Sequence, residues 1–161
     1  MNEEETPCTK IVFFGDSITA SGRNYMDDTD LGVGYVKIAA GKLRLLYPDV
    51  RFCFLNRGVG GERTAELCER VQRDVVEQNP DYVVLQVGIN DVWCRFSRGE
   101  EVTPDTFRAN YTYLVDTIMA TGARLFLIQP YALKMGDKQR FRPFLARFNE
   151  IIRTIAAERR I

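Results

Sequence analysis

Three glycine-containing turns hold the residues of this chain best suited to chemistry: Gly15-Asp16-Ser17-Ile18, Asn56-Arg57-Gly58-Val59-Gly60-Gly61 and Gly88-Ile89-Asn90-Asp91. A serine in a tight turn after a strand can hold its hydroxyl outward beside backbone N–H groups that favour developing negative charge, which suits a nucleophile. A glycine-rich turn lets a backbone N–H approach a ligand with no Cβ in the way, and an asparagine adds an uncharged side-chain donor. Together the second and third turns supply what an oxyanion hole needs. Each residue also has a plainer role open to it. Ser17 alone is a natural helix N-cap, and Asn90 alone an ordinary turn residue. Asp16 and Asp91 are expected to be structural, holding loop N–H groups near the site. Arg23, Arg57 and Arg63 are expected to brace loops. A serine nucleophile also needs a base to take its proton, and the chain contains no histidine.

The elements that must position these turns follow from the apolar pattern. Lys10 to Phe14 reads as a buried strand, and Val36, Ala40, Leu43 and Tyr47 recur at helical spacing until Pro48 stops them. Val50 to Leu55 is a second strand. Thr64 is placed to cap a helix whose Leu67, Val71 and Val75 share a face, and Tyr82 to Val87 is a third strand. Thr103-Pro104 starts a helix carrying Phe107, Tyr111, Leu114 and Ile118, and Ala123 to Ile128 is a fourth strand. A last helix, Arg140 to Glu158, turns Phe144, Phe148, Ile151, Ile152 and Ile155 inward. Fully apolar strands alternating with amphipathic helices predict one α/β domain over 1–161: a doubly wound, flavodoxin-like parallel sheet with helices on both faces. In such sheets ligands bind beyond the carboxyl ends of the strands, where all three turns lie.

Composition removes several functions. Lys plus Arg number 22 and Asp plus Glu number 22, so there is no net field to hold nucleic acid or an anionic membrane. No apolar run reaches bilayer length, and Met1 to Lys10 is acidic rather than leader-like, so a cytoplasmic location is expected. Cys8, Cys53, Cys68 and Cys94 lack CxxC spacing and are expected as unpaired core thiols. The Asp27-Asp28-Thr29-Asp30 cluster is expected to be a solvated loop, because Gly32 stands where a calcium loop needs a ligand. The run Gly58 to Gly61 lacks the Lys-Ser/Thr pair of a phosphate loop, yet a nucleotide or small-ligand binding module remains the alternative function.

The three turns, in this order and spacing, resemble the sequence blocks of the SGNH, or GDSL-type, hydrolases. GDSIT at Gly15 to Thr19 is similar to the first block, NRGVGGERT at Asn56 to Thr64 to the second, and GIND at Gly88 to Asp91 to the third. The resemblance extends to Gly34 to Val36 and to Pro80-Asp81. It implies a serine esterase or acylhydrolase acting through an acyl-enzyme on short acyl or acetyl esters, with a small-molecule ester as partner and no cofactor or metal. It implies Ser17 as nucleophile, with Ser17 N–H, Gly61 N–H and the Asn90 side chain as oxyanion donors. Gly61 is assigned from its place in the block; Gly58 is also available, and Gly60 stands where relatives often carry serine. The resemblance implies strand order 2-1-3-4 with a fifth strand missing. It also implies an Asp-x-x-His block near the C-terminus, which has no counterpart here. The expectation is a chain cut short, nearly inert as given, or alternatively a pseudoenzyme. Oligomeric state is not legible.

Overall fold

The computed structural model describes residues 8–132 and 136–161. Met1 to Pro7, most of the stretch read for a leader, lie outside them. The elements are β1 (Thr9–Gly15), α1 (Ser17–Ala20), α2 (Tyr35–Leu46), β2 (Phe52–Gly58), α3 (Thr64–Asp74), β3 (Tyr82–Gln86), α4 (Ile89–Ser97), α5 (Pro104–Met119), β4 (Arg124–Ile128) and α6 (Arg142–Arg159). Four strands form one parallel sheet in the order β2-β1-β3-β4. The chain steps from β1 out to β2, then crosses back over β1 to β3. That reversal opens a crevice at the strand ends, the usual ligand position in such folds. The register matters most here: Gly15 pairs with Gly58 on one side and with Gln86 on the other, so three strands end level. The turns that follow them therefore leave the sheet at one height.

Strand alternation sends neighbouring side chains of β1 into two separate cores. Val12 and Phe14 join Leu67, Val71, Leu85, Phe107, Tyr111, Leu114, Phe148 and Ile152 under α3, α5 and α6. Ile11 and Phe13 join Val36, Ala40 and Phe54 under α2. Helices thus cover both faces, but among the described residues α2 alone covers the second. Toward β4 that face is open: Phe126 is 46% exposed and Ile128 38%. No helix among the described residues is long and apolar enough to cross a membrane.

Four expectations are corrected. β2 runs from Phe52 to Gly58 rather than from Val50 to Leu55, so Asn56, Arg57 and Gly58 belong to the strand and only Val59 to Arg63 make the turn. Thr64 is the first residue of α3 and not its cap; Arg63 stands at the cap position, where its N–H and its guanidinium both donate to Glu66, while the buried Thr64 side chain is held by Asp91. In α6, Phe144 and Ile151 do pack against the core but are only partly buried. Finally, Cys8 and Cys53 form a disulfide, with Cα atoms 5.9 Å apart. Cys8 lies just before β1, whose Lys10 pairs with Cys53, so the sheet register brings the two thiols together across 45 residues of sequence. Cys68 and Cys94 are free.

Candidate active site

Ser17 is the first residue of α1, exposed at the end of β1. Asp16 caps this turn: its Oδ1 accepts a 2.9 Å hydrogen bond from Ile18 N–H, which fixes the backbone on either side of the serine. Asp16 is fully buried, and its second oxygen, Oδ2, has no hydrogen-bond partner among the described residues. Burial pushes its carboxyl up to about 6. The turn is pinned from the side by Asn56, buried in β2. Its Nδ2 donates to Thr19 O and to Leu31 O, both at 2.9 Å, and its Oδ1 accepts from Gly58 N–H at 2.9 Å. Gly58 must be glycine, because a Cβ there would come within 2.2 Å of Ala20 N. Arg23 and Arg70 close the rear: Arg23 Nε donates to Gly58 O, while Arg70 donates to Gly15 O and Arg57 O and pairs with Glu62 and Asp74.

The second turn then bends at Gly61, whose φ of +82° is left-handed and costly for any residue with a Cβ. The third turn supplies Asn90 from the first turn of α4. Its Nδ2 donates to Glu62 O at 2.8 Å, which ties the second and third turns together and leaves one amide N–H unused. Asp91 is buried behind it and accepts from the N–H and the hydroxyl of Thr64, setting the start of α3. Burial pushes its carboxyl also up to about 6.

Ser17, Gly61 and Asn90 line a single cavity of about 470 Å³ together with Gly60, Glu62, Arg63, Glu66, Trp93, Cys94, Ser97 and Arg98. Among the described residues no hydrogen bond occupies the Ser17 hydroxyl, Ser17 N–H or Gly61 N–H. Gly58 is buried with its N–H engaged by Asn56, while Gly61 faces the cavity. Gly60, the departure noted above, gives its N–H to Tyr25 Oη at 3.2 Å. Arg23, Arg57 and Arg63 all brace loops: Arg57 pairs with Asp28, and Arg63 with Glu66 and Glu100, though Arg63 also borders the cavity. In the acidic loop Asp30 accepts from Asn24 N–H and Gly32 N–H. Sequence reasoning missed α4, and with it Trp93, Ser97 and Arg98 on the cavity wall. It also missed Asn56 and Arg70 as braces; a polar residue inside an apolar strand was the available signal for Asn56.

Residues 13–161 match the model of the GDSL-like Lipase/Acylhydrolase family. The chain is 30% identical over 157 residues to an acetylxylan esterase of Geobacillus stearothermophilus, covering 92% of this chain and 72% of that protein. A crystal structure of that esterase superposes with a TM-score of 0.84 over 93% of this chain. Catalytic mutants of the same esterase at a serine, an aspartate and a histidine give 0.86, 0.85 and 0.85. An α/β hydrolase, LAE5, from a lake metagenome is 28% identical with a TM-score of 0.83, covering 93% of this chain and 73% of its own. An uncharacterised lipoprotein of Bacillus subtilis, YqeF, is 30% identical over 122 residues, 73% of this chain and 46% of that protein.

Proposed function

The chain belongs to the GDSL-like lipase/acylhydrolase family, and from that premise we propose that Ser17 is the nucleophile of an esterase acting on short acyl or acetyl esters. The Ser17 oxygen attacks the ester carbonyl. The oxygen of that carbonyl, now negative, is received by Ser17 N–H, Gly61 N–H and the second N–H of the Asn90 amide. The alcohol leaves, and water then releases the acyl group from Ser17. The observation that carries this reading is the shared cavity: a free hydroxyl and unpaired N–H donors from three turns face one space.

The alcohol side of the ester is proposed to be polar. Glu62, Glu66, Arg63, Arg98 and Ser97 border the cavity, which suits a hydroxyl-rich leaving group better than a lipid tail. The acetylxylan esterase relative fits that choice. No metal or organic cofactor enters the proposed steps. The attack requires a base, and with no histidine in 161 residues this chain acting alone is proposed to be nearly inert. Comparable hydrolases lose about 10⁶-fold without that base. The Cys8–Cys53 pair weighs against a cytoplasmic location, since disulfides persist mainly in oxidising compartments.

The test is covalent labelling. At pH 9, p-nitrophenyl acetate is expected to place an acetyl group on Ser17, located by peptide mass mapping, and Ser17→Ala is expected to remove it. Asn90→Ala is expected to slow labelling by about 10²- to 10³-fold, the cost of one oxyanion donor. Labelling that persists in Ser17→Ala would refute the nucleophile.

A further inference from the structure

One wall of the 470 Å³ cavity beside Ser17 is a single helix face. Asn90, Trp93, Cys94, Ser97 and Arg98 all line it, at the three- and four-residue steps that bring side chains onto one side of α4. Asn90 stands in the first turn of that helix and Arg98 at its C-terminal cap, about 12 Å further along the axis. Between them Trp93 leaves 43% of its surface exposed on the same wall.

The charged groups around the cavity are not equivalent. Glu62 is held by Arg70 at 2.6 Å, and Glu66 by Arg63 at 2.5 Å. Arg63 also holds Glu100, at 2.8 Å. Arg98 differs from all of these. Its backbone N–H bonds to Cys94 O, but its guanidinium has no ion pair, hydrogen bond or ring contact among the described residues. A free guanidinium offers five N–H donors in a planar fork, which matches the two oxygens of a carboxylate.

We infer that Arg98 determines specificity, and that the alcohol of the ester is a sugar acid whose carboxylate binds there. The inference rests on the proposed esterase reading of the cavity. The acylated hydroxyl lies at Ser17, the sugar ring spans the Trp93 wall, and the carboxylate, which takes no part in the bond changes, meets Arg98 at the far end of α4. The neighbouring carboxylates are already engaged by arginines, so Arg98 is the charge left open to a ligand. A neutral sugar gains nothing from that charge, and a lipid tail would have to strip it of water.

The experiment follows acetylation of Ser17 in the 161-residue chain by p-nitrophenyl acetate at pH 9 while trigalacturonate, an oligomer of sugar acids, is added. Its carboxyl-reduced, neutral counterpart is the control. Trigalacturonate is expected to slow the labelling in a saturable way, and the neutral oligomer to need a concentration at least about 10-fold higher for the same protection. Arg98→Gln is expected to raise the half-protecting concentration of trigalacturonate at least about 10-fold, with Arg98→Lys in between, because lysine keeps the charge and loses the fork. A melting temperature equal to that of the native chain shows that each variant folds. Equal protection by the two oligomers, no protection by either, or protection that ignores Arg98→Gln would overturn the sugar-acid assignment while leaving a labelled Ser17 and the esterase reading intact. If Ser17 takes no acetyl group at all, the esterase reading falls and the substrate class falls with it, even where calorimetry shows trigalacturonate binding through Arg98.

Discussion

Burial pushes the carboxyls of Asp16 and Asp91 up to about 6 from an ordinary 3.8. In the unfolded chain both ionise near pH 4, in the folded chain two units later. The fold therefore holds its full contribution from these groups below about pH 4 and loses it as pH rises through 6. Each carboxyl costs up to about 2–3 kcal/mol at neutral pH. Asp28, Glu66, Asp74 and Asp116 act in the opposite sense, because arginine partners hold them below their ordinary values and they weaken the fold only on further acidification. Urea midpoints are thus expected to fall between pH 4 and pH 7. Asp16→Asn keeps an acceptor for Ile18 N–H while removing one ionisation, so it should cut that fall by about half. An unchanged slope would show that the Asp16 carboxyl is not desolvated.

The helix layer above the sheet makes a different demand. Phe107 of α5 stacks on Phe148 of α6 with ring centroids 4.0 Å apart and planes 3° from parallel, and both rings are buried. Phe107→Ala is expected to cost about 3–5 kcal/mol in denaturant unfolding, the usual penalty for emptying such a site. This part of the fold was legible because the α5 stripe, Phe107, Tyr111, Leu114 and Ile118, faces one core along its whole length. The Thr103-Pro104 start was legible too, since Thr103 Oγ1 accepts from Thr106 N–H and its other partner, the Thr106 hydroxyl, lies in the same turn. Thr64 misled for the opposite reason. Asp91, distant in sequence, claims its hydroxyl, and a tertiary partner outbids a local cap. The helix α4 was missed because its cap position is Gly88, with φ of +131° and no side-chain cap, and it runs only 9 residues. The three site turns were readable as a set because each follows a strand; the loop braces, Asn56 and Arg70, were not, because their partners lie far along the sequence: Thr19 and Leu31 for Asn56, Gly15 and Arg57 for Arg70.

At the scale of the molecule, the Cys8–Cys53 link closes a loop of 45 residues and joins the outermost strand to its neighbour. No spacing rule could expose it, since only the strand register makes the two residues neighbours. Chain-entropy arguments put its worth at about 2–4 kcal/mol. Reductant is expected to lower the melting temperature of the native protein and to leave Cys8→Ala, already lowered, unmoved. Counting thiols in freshly lysed cells then speaks to location: two reactive thiols fit an oxidising compartment, four a reducing one. The far side of the sheet has no such fastening. Among the described residues strand β4 has a single neighbour, and Phe126 and Ile128 lie partly bare on the face that α2 does not reach. A border of that kind is adhesive, offering ladder donors and acceptors beside greasy rings to any molecule that drifts alongside. Concentrated solutions should therefore turn cloudy over time, and Phe126→Lys, a gatekeeping charge, should keep their light scattering low.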